Sequence, residues 1–559
     1  MSSIAGHFVR NSRRLRAILG LLLCASSALA LTPPTKERVS SSFLMLLRPP
    51  DGITLITESG SFPLAQTKPG IWKLGATRLR TQVKGDGLQI DLRAPAESVK
   101  HVQFRWKALI SPSWKLLGDA WERAYGDLQW TGPDPLKAMP WYFLASDGQR
   151  VHGYGVMTGP SSLCAWKVDV EGISLWADVR CGGMGVRLGS RCLPICTLVS
   201  REGRVGESPF QAAQAFCRVM CPKPRLPKGP VYGFNDWYYA YGKNTAEGIL
   251  EDAKFADLIS PKGNRNPQPF MVIDDGWQGD PGAGPRPWGQ GNAKFPSMSK
   301  LAADIREAGC LPGIWYRPLE AAKDDPKAWR LNRRPDVLDP TLPEVRRQIV
   351  GEVSRLRQWG FSLIKHDFTT YDLTGRWGFQ MEDGVTKDGW SFANRGMTTA
   401  EVILDLYRCI REASGQAIVI GCNTVSHLSA GIFEVNRIGD DTSGKEWERT
   451  RKMGVNCLAF RAPQHGVFYL ADPDCFGLAE AGAIPWEKNR QWLDLAARSG
   501  MPLFISVRRD ALSPEQIQAL REAMAIAAQP QPVAEPLDWM ETRLPKRWRL
   551  MEKTMEFEW

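Results

Sequence analysis

Residues 361–368 read FSLIKHDF, a run that starts as a buried strand and ends in charge. Phe361, Leu363 and Ile364 are driven out of water, Lys365, His366 and Asp367 are not, and neither Gly nor Pro parts the two halves. Such a strand delivers ionisable groups to its C-terminal end. Seven other short apolar runs share this design: VYGFNDW (231–237), PFMVIDDGW (269–277), LPGIWYRP (311–318), AIVIGCN (417–423), EVNRIGDD (434–441), GVFYLADPD (466–474) and PLFISV (502–507). Stretches 245–259, 298–309, 342–360 and 398–415 lie between them and repeat apolar residues at three and four, the helical period. Strands alternating with helices predict a parallel α/β domain, and eight strands over about 250 residues predict a (β/α)8 TIM barrel. One unit is irregular, because only residues 424–433 separate two of the runs, room for no more than a short helix.

Upstream the rhythm differs. Runs such as GLQIDLRA (87–94), HVQFRWKAL (101–109), VHGYGVMTG (151–159) and GISLWADVR (172–180) alternate or nearly so, which predicts an antiparallel β-sandwich over residues 31–225. The proline-rich CPKPRLPKGP (221–230) reads as the linker into a catalytic barrel over 226–510. Residues 511–559 read as a short C-terminal helix and tail, with QPQPVAEP (529–536) extended.

Residues 1–30 read as a secretory signal peptide: Arg10, Arg13, Arg14 and Arg16 precede the apolar run 17–24, and small residues follow. That run is shorter than the roughly 20 residues a membrane anchor needs. The expectation is an exported protein, periplasmic or extracellular, with no membrane partner once the signal is removed. Removal takes four arginines and no acid, so the formal charge falls from +11 to +7. No basic block interleaved with aromatics appears, which argues against a nucleic-acid partner. Among the cysteines, Cys164, Cys181, Cys192, Cys196, Cys217 and Cys221 are close enough in sequence to be disulfide candidates, with the connectivity open. The sequence sets no oligomeric state.

In a barrel of this type the C-terminal strand ends carry the chemistry. Here they bear Asp236, Asp274 with Asp275, Trp315, Lys365 with Asp367, Cys422 with Asn423, Arg437 with Asp441, and Asp472 with Asp474. One such Asp alone is more often a helix N-cap; polar or aromatic groups at seven ends of eight point to a site. Carboxylates and tryptophans, without a nucleophile motif, a P-loop or GxGxxG, suit glycoside hydrolysis, which needs two carboxyl groups flanking the anomeric carbon. Sugars also stack their C–H faces on indole rings, and the chain has 22 tryptophans, most of which must be core or surface packing.

The motifs GFNDWYYAYG (233–242), FMVIDDGWQ (270–278), the run 295–318 ending GIWYRP, LIKHDF (363–368), IGCN (420–423), RIGDDT (437–442) and ADPDC (471–475) occur in an order that resembles the α-galactosidase (melibiase) clan of retaining glycoside hydrolases, bacterial members most closely. The resemblance spans about residues 231–480. It implies that Asp367 is the nucleophile and Asp441 the general acid/base. It further implies that Asp274 and Asp275 grip galactose hydroxyls, that Lys365 and Arg437 bond hydroxyls near the nucleophile, and that Trp237, Trp315 and Cys422 wall the subsite. It implies a glycoside or oligosaccharide substrate; a metal-binding reading of the carboxylates in IDDGW, KHD and ADPDC finds neither EF-hand spacing nor a His-x-x-x-His helix, so no metal and no cofactor is expected.

Lys365 and Asp367, two apart on a strand, face the same side, so the cation supports an ionised nucleophile. Asp441 needs its proton near neutral pH; Asp440 pushes that way and Arg437 the other. Asp440 also stands as a second candidate for the acid, and from the short stretch after PLFISV the full C-terminal β-domain usual in the clan is expected to be missing or vestigial. His366 should project away from the nucleophile onto a helix. The alternatives are another sugar (an α-N-acetylgalactosaminide, a β-L-arabinopyranoside, an α-glucoside), transfer of galactose to a sugar acceptor, or a non-catalytic carbohydrate-binding barrel.

Overall fold

The computed structural model describes residues 46–263, 267–280, 282, 287–478 and 483–559. The expected signal peptide, residues 1–30, lies outside them. Residues 46–201 form two antiparallel sheets. One runs, in spatial order, 65–68, 71–74, 77–84, 87–93, 193–201, 151–156, 142–146 and 115–118; the other is built on 52–57, 98–107, 172–178 and 163–169. Leu88, Ile90 and Leu92 of the first and Val102, Phe104 and Trp106 of the second belong to one buried cluster, so each sheet turns its apolar face into a common core. The Cys196 thiol, on the first sheet, hydrogen-bonds Cys164, on the second. All eleven described cysteines are free, so none of the six candidates is paired; a sizeable apolar core holds these sheets without cross-links.

After helix Pro209–Met220, capped by a reciprocal Ser208–Gln211 box, the eight expected strands appear. They are β1 (Tyr232–Asn235), β2 (Phe270–Ile273), β3 (Leu311–Tyr316), β4 (Leu363–His366), β5 (Ile418–Gly421), β6 (Val435–Arg437), β7 (Leu470–Asp472 and Cys475–Leu478) and β8 (Leu503–Val507). Every neighbouring pair is parallel, in the order β1 to β6 and on to the first piece of β7. The second piece of β7 pairs with β8, and β8 with β1. The sheet therefore curls until the two pieces of one strand stand at its two edges, parted by Pro473 and by Asp474 at φ 79°. Helices Ala246–Ile259, Met298–Glu307, Pro343–Gln358 and Thr399–Ala413 occupy the stretches expected of them. The irregular unit holds only the four-residue helix Ser426–Ser429.

Side chains alternate along these strands with period two. Val231, Phe270, Val272, Leu363, Ile420, Val435 and Phe504 form one small buried cluster inside the curl. Met271, Ile273, Ile314, Tyr316, Ile364 and Val419 belong to the larger cluster outside it, beneath the helices. The C-terminal region departs from the expected tail. Beyond helix Pro514–Ala527, strands Glu535–Pro536, Arg547–Leu550 and Lys553–Glu556 form a three-stranded antiparallel sheet. Its signal is the alternation in RWRL (547–550), where Trp548 and Leu550 are buried between exposed arginines. This pattern is only four residues long.

Candidate active site

The inner row of the curled sheet continues past the apolar cluster into polar residues. Two residues beyond each inward apolar position come Asp274 after Val272, Lys365 and then Asp367 after Leu363, Cys422 after Ile420, and Arg437 after Val435, with Trp315 in register with Lys365. The expected residues thus meet at one end of the sheet.

Most of them bond in three groups, around Asp274, Asp367 and Arg437. Lys365 Nζ donates to Asp274 Oδ2 at 2.6 Å, with 12% and 3% of the two side chains exposed. Burial works against the charge on Lys365, but Asp274 first, and more weakly Asp367, hold its pKa well above the ordinary lysine range. Asn235 Nδ2 adds a second donor to Asp274 Oδ2 at 2.7 Å, and the Asp275 amide bonds Oδ1 at 2.9 Å. Asp236, buried beneath, accepts from the Asp274 amide at 2.6 Å and from Asn244 Nδ2 at 2.6 Å. Burial, and then the charge of Asp274, push Asp236 up to about 7. Asp275 is half-buried, bonded by Gln278 Nε2 at 2.5 Å; burial raises its pKa, with Asp274 and Asp367 adding to the rise.

Asp367 is fixed by two donors. Trp315 Nε1 reaches its Oδ2 at 3.0 Å and the Phe368 amide its Oδ1 at 2.7 Å. The second bond requires Phe368 at φ 62°, a left-handed conformation that costs a non-glycine residue about 1–2 kcal/mol. Packing of Phe368 edge-on to Trp315 and Trp377, with Arg317 4.5 Å from its centroid, holds it there. His366 turns outward as expected and lies edge-on to Tyr407 of helix Thr399–Ala413; burial pushes it down to about 3, so it is neutral.

Arg437 is the hub of the other side. Its Nη2 lies 3.0 Å from both Asp441 Oδ1 and Asp474 Oδ2, and its Nη1 donates to Cys422 Sγ at 3.4 Å. Asp474 also accepts from Tyr238 and from Thr442. Asp440 and Asp441 part company. Asp440 lies 2.9 Å from Arg123 and 2.6 Å from Arg449, whereas Asp441, its side chain 41% exposed, borders a cavity of about 280 Å³. Tyr238, Tyr241, Ser443, Lys445, Glu446 and Arg449 complete that cavity. Burial raises the Asp441 carboxyl, but Arg437, then Arg123 and Lys365, outweigh it and bring it to about 2. Beside Arg437, Asp441 is held toward its ionised form, so of the opposing influences the sequence left open the cation prevails.

Trp237 is half-buried over the inner cluster, 5.3 Å from the ring of Tyr241. Reading strand ends alone does not find Arg123, Glu122, Asn244 or Arg449. Arg123 lies over 300 positions from Asp440 in the chain, and no local pattern marks it.

The chain thus joins antiparallel sheets to a curled parallel sheet with a ring of carboxylates at its C-terminal end. No family model matches the chain. Among solved structures it is similar to the α-galactosidase of Thermus thermophilus in complex with p-nitrophenyl α-D-galactopyranoside, at TM-score 0.56 and 18% identity, over 90% of this chain and 98% of that one. It is also similar to a GH36 α-galactosidase variant of Geobacillus stearothermophilus in complex with 1-deoxygalactonojirimycin (TM-score 0.58, 13% identity, 89% and 79% covered). A GH31 family sulfoquinovosidase from E. rectale matches at TM-score 0.55 and 11% identity, over 90% and 85%. The shared property is the fold.

Proposed function

We propose that the chain is an exported retaining glycoside hydrolase that releases terminal α-galactose, built on a (β/α)8 barrel behind an N-terminal β-sandwich. The observation that carries this reading is the setting of Asp367: an inward carboxylate, locked by Trp315 Nε1 and the Phe368 amide and flanked by Lys365 on its own strand. Two donors fix the direction of the carboxylate, as attack on an anomeric carbon requires. Asp441, beside the open cavity, is the second carboxyl; its leaving-group side is the space lined by Tyr238, Tyr241 and Lys445. Beside Arg437 it is poised as the base that activates water. To act as acid it must first lose that contact, and Asp474, equally near the same Nη2, holds the guanidinium when it does.

The clan resemblance gives Asp274 and Asp275 to galactose hydroxyls, the axial O4 among them, and Asp274 is held in place by Lys365, Asn235 and the Asp275 amide. A panel of the nitrophenyl α-galactoside, α-glucoside, α-N-acetylgalactosaminide and β-L-arabinopyranoside tests the reading. Release from the α-galactoside at a kcat/KM well above that for the glucoside, N-acetylgalactosaminide and arabinopyranoside is the expected result. Preference for another member moves the sugar and keeps the mechanism; no release from any of them contradicts the hydrolase. Export is tested by secretion of a reporter fused to residues 1–30.

A further inference from the structure

The carboxyls of the proposed reaction sit in two stretches, one after β4 and one after β6, and a third stretch from the antiparallel half runs between them. The Ala124 amide donates to the Ile438 carbonyl at 2.8 Å, and Ala124 bridges Gly439 in parallel. On the other side Glu122, fully buried, accepts from the Gly378 amide at 3.0 Å and from Asn423 Nδ2 at 2.5 Å. Arg123 lies between these anchors and is 7% exposed.

Arg123 reaches both stretches. Its Nη2 is 2.9 Å from Asp440 Oδ1, and its guanidinium lies 5.3 Å from the centroid of Trp377. Trp377 packs on Phe368, the residue after Asp367, and stacks on Tyr371 at 4.5 Å; Arg334 lies 4.9 Å from the Tyr371 centroid. This column of rings and guanidinium groups keeps Arg123 from swinging away. With Arg449 on its other oxygen, Asp440 has no freedom to enter the mouth, and its side chain is 15% exposed against 41% for Asp441.

We propose that Arg123 is a positioning residue: by pinning Asp440 it leaves Asp441 as the one carboxyl of the pair that faces the reacting sugar. The inference rests on the reading of Asp441 as acid/base given above. The charged groups around Asp441 are Arg437, Arg123 and Lys365, with Arg449 donating to its carbonyl, Asp440 and Asp474 beside it, and Lys445 and Glu446 lining the same cavity. Removing Arg123 takes one cation from this set and frees one side of Asp440.

The test compares Arg123→Gln, Arg123→Lys and Asp440→Asn with the parent in the full chain. The first readout is independent of activity: 13C titration of the Asp441 carboxyl, assigned with Asp441→Asn. Arg123→Gln should move that titration upward by about 1 pH unit or more, and Arg123→Lys by clearly less, since the charge is kept. The second readout is kinetic. In Arg123→Gln, kcat/KM for an unactivated galactoside should fall about 100-fold, and for the nitrophenyl galactoside by less than about tenfold, because only the first needs a well-placed proton donor. Arg123→Gln combined with Asp440→Asn should cost no more than the larger single change, as for partners in one contact. An unmoved titration, or equal kinetic losses on both substrates, overturns the positioning role. A parent inactive on every galactoside whose Asp441 titration still moves overturns the substrate reading and leaves the Arg123 contact standing.

Discussion

Replacing Lys365 by Met removes the only lysine of the inner row and leaves a chain of similar length and no charge. Asp274, 3% exposed at its side chain, then retains Asn235 Nδ2 at 2.7 Å and the Asp275 amide at 2.9 Å but no cation. Breaking a buried pair by deleting one partner costs about 3–5 kcal/mol, because the other charge stays buried and uncompensated. Two further carboxylates, Asp236 and Asp275, stand against Asp274 and push the loss to the upper part of that range. The variant can recover only by protonating this cluster. A carboxyl whose folded pKa is raised binds more protons folded than unfolded between its two pKa values, so its stability falls as pH rises through that window. The deficit should therefore be largest at pH 8 and smaller by about 1.4 kcal/mol or more at pH 5. Urea unfolding of parent and variant at the two pH values measures it. A deficit below about 1 kcal/mol, or one equal at both pH values, refutes the claim that Lys365 compensates buried carboxylate charge.

The remaining expectations are smaller in scope. The parent itself should lose stability as pH climbs from about 4 to about 7, since Asp236 is raised to about 7, and Asp236→Asn should flatten that slope by up to about 1.4 kcal/mol per pH unit in urea titrations. Asp275→Ala should lower kcat/KM for galactosides by about 10- to 150-fold, the worth of one charge-assisted bond of about 1.5–3 kcal/mol; unchanged kinetics remove Asp275 from the site. Gly421→Ala places a Cβ 2.5 Å from Thr424 Oγ1 and 2.7 Å from Asn436 Oδ1, which bond each other, and should cost about 1–3 kcal/mol in thermal unfolding.

The eight strands were legible because each pairs an apolar, period-two body with a polar end, and the same period told which of Lys365, His366 and Asp367 face inward. Long helices such as Thr399–Ala413 were legible from their apolar faces, and the short one at Ser426–Ser429 from the lack of room. The final sheet was not, since RWRL is too short to distinguish from a coil by alternation. Arg123 was beyond reach for another reason: its role comes from chain segments meeting across the fold, and an arginine followed by Ala and Tyr carries no local mark. The ionisation of Asp441 lay between those cases. Arg437 and Asp440 were visible as opposing influences, but only the geometry shows Asp440 held by Arg123 and Arg449 while Arg437 contacts Asp441.

The roles of Asp367 and Asp441 are tested most directly by the configuration of the azide product formed by their alanine variants. In Asp441→Ala a nitrophenolate can leave without a proton, the glycosyl–enzyme bond forms at Asp367, and added azide, which needs no base, resolves it through a second displacement. The account predicts accelerated turnover and an α-galactosyl azide, with the configuration of the substrate retained. In Asp367→Ala no covalent intermediate can form, and azide acting by direct attack gives the β-azide. A β product from Asp441→Ala or an α product from Asp367→Ala, read from the anomeric proton coupling, would contradict the assignment of nucleophile and acid/base.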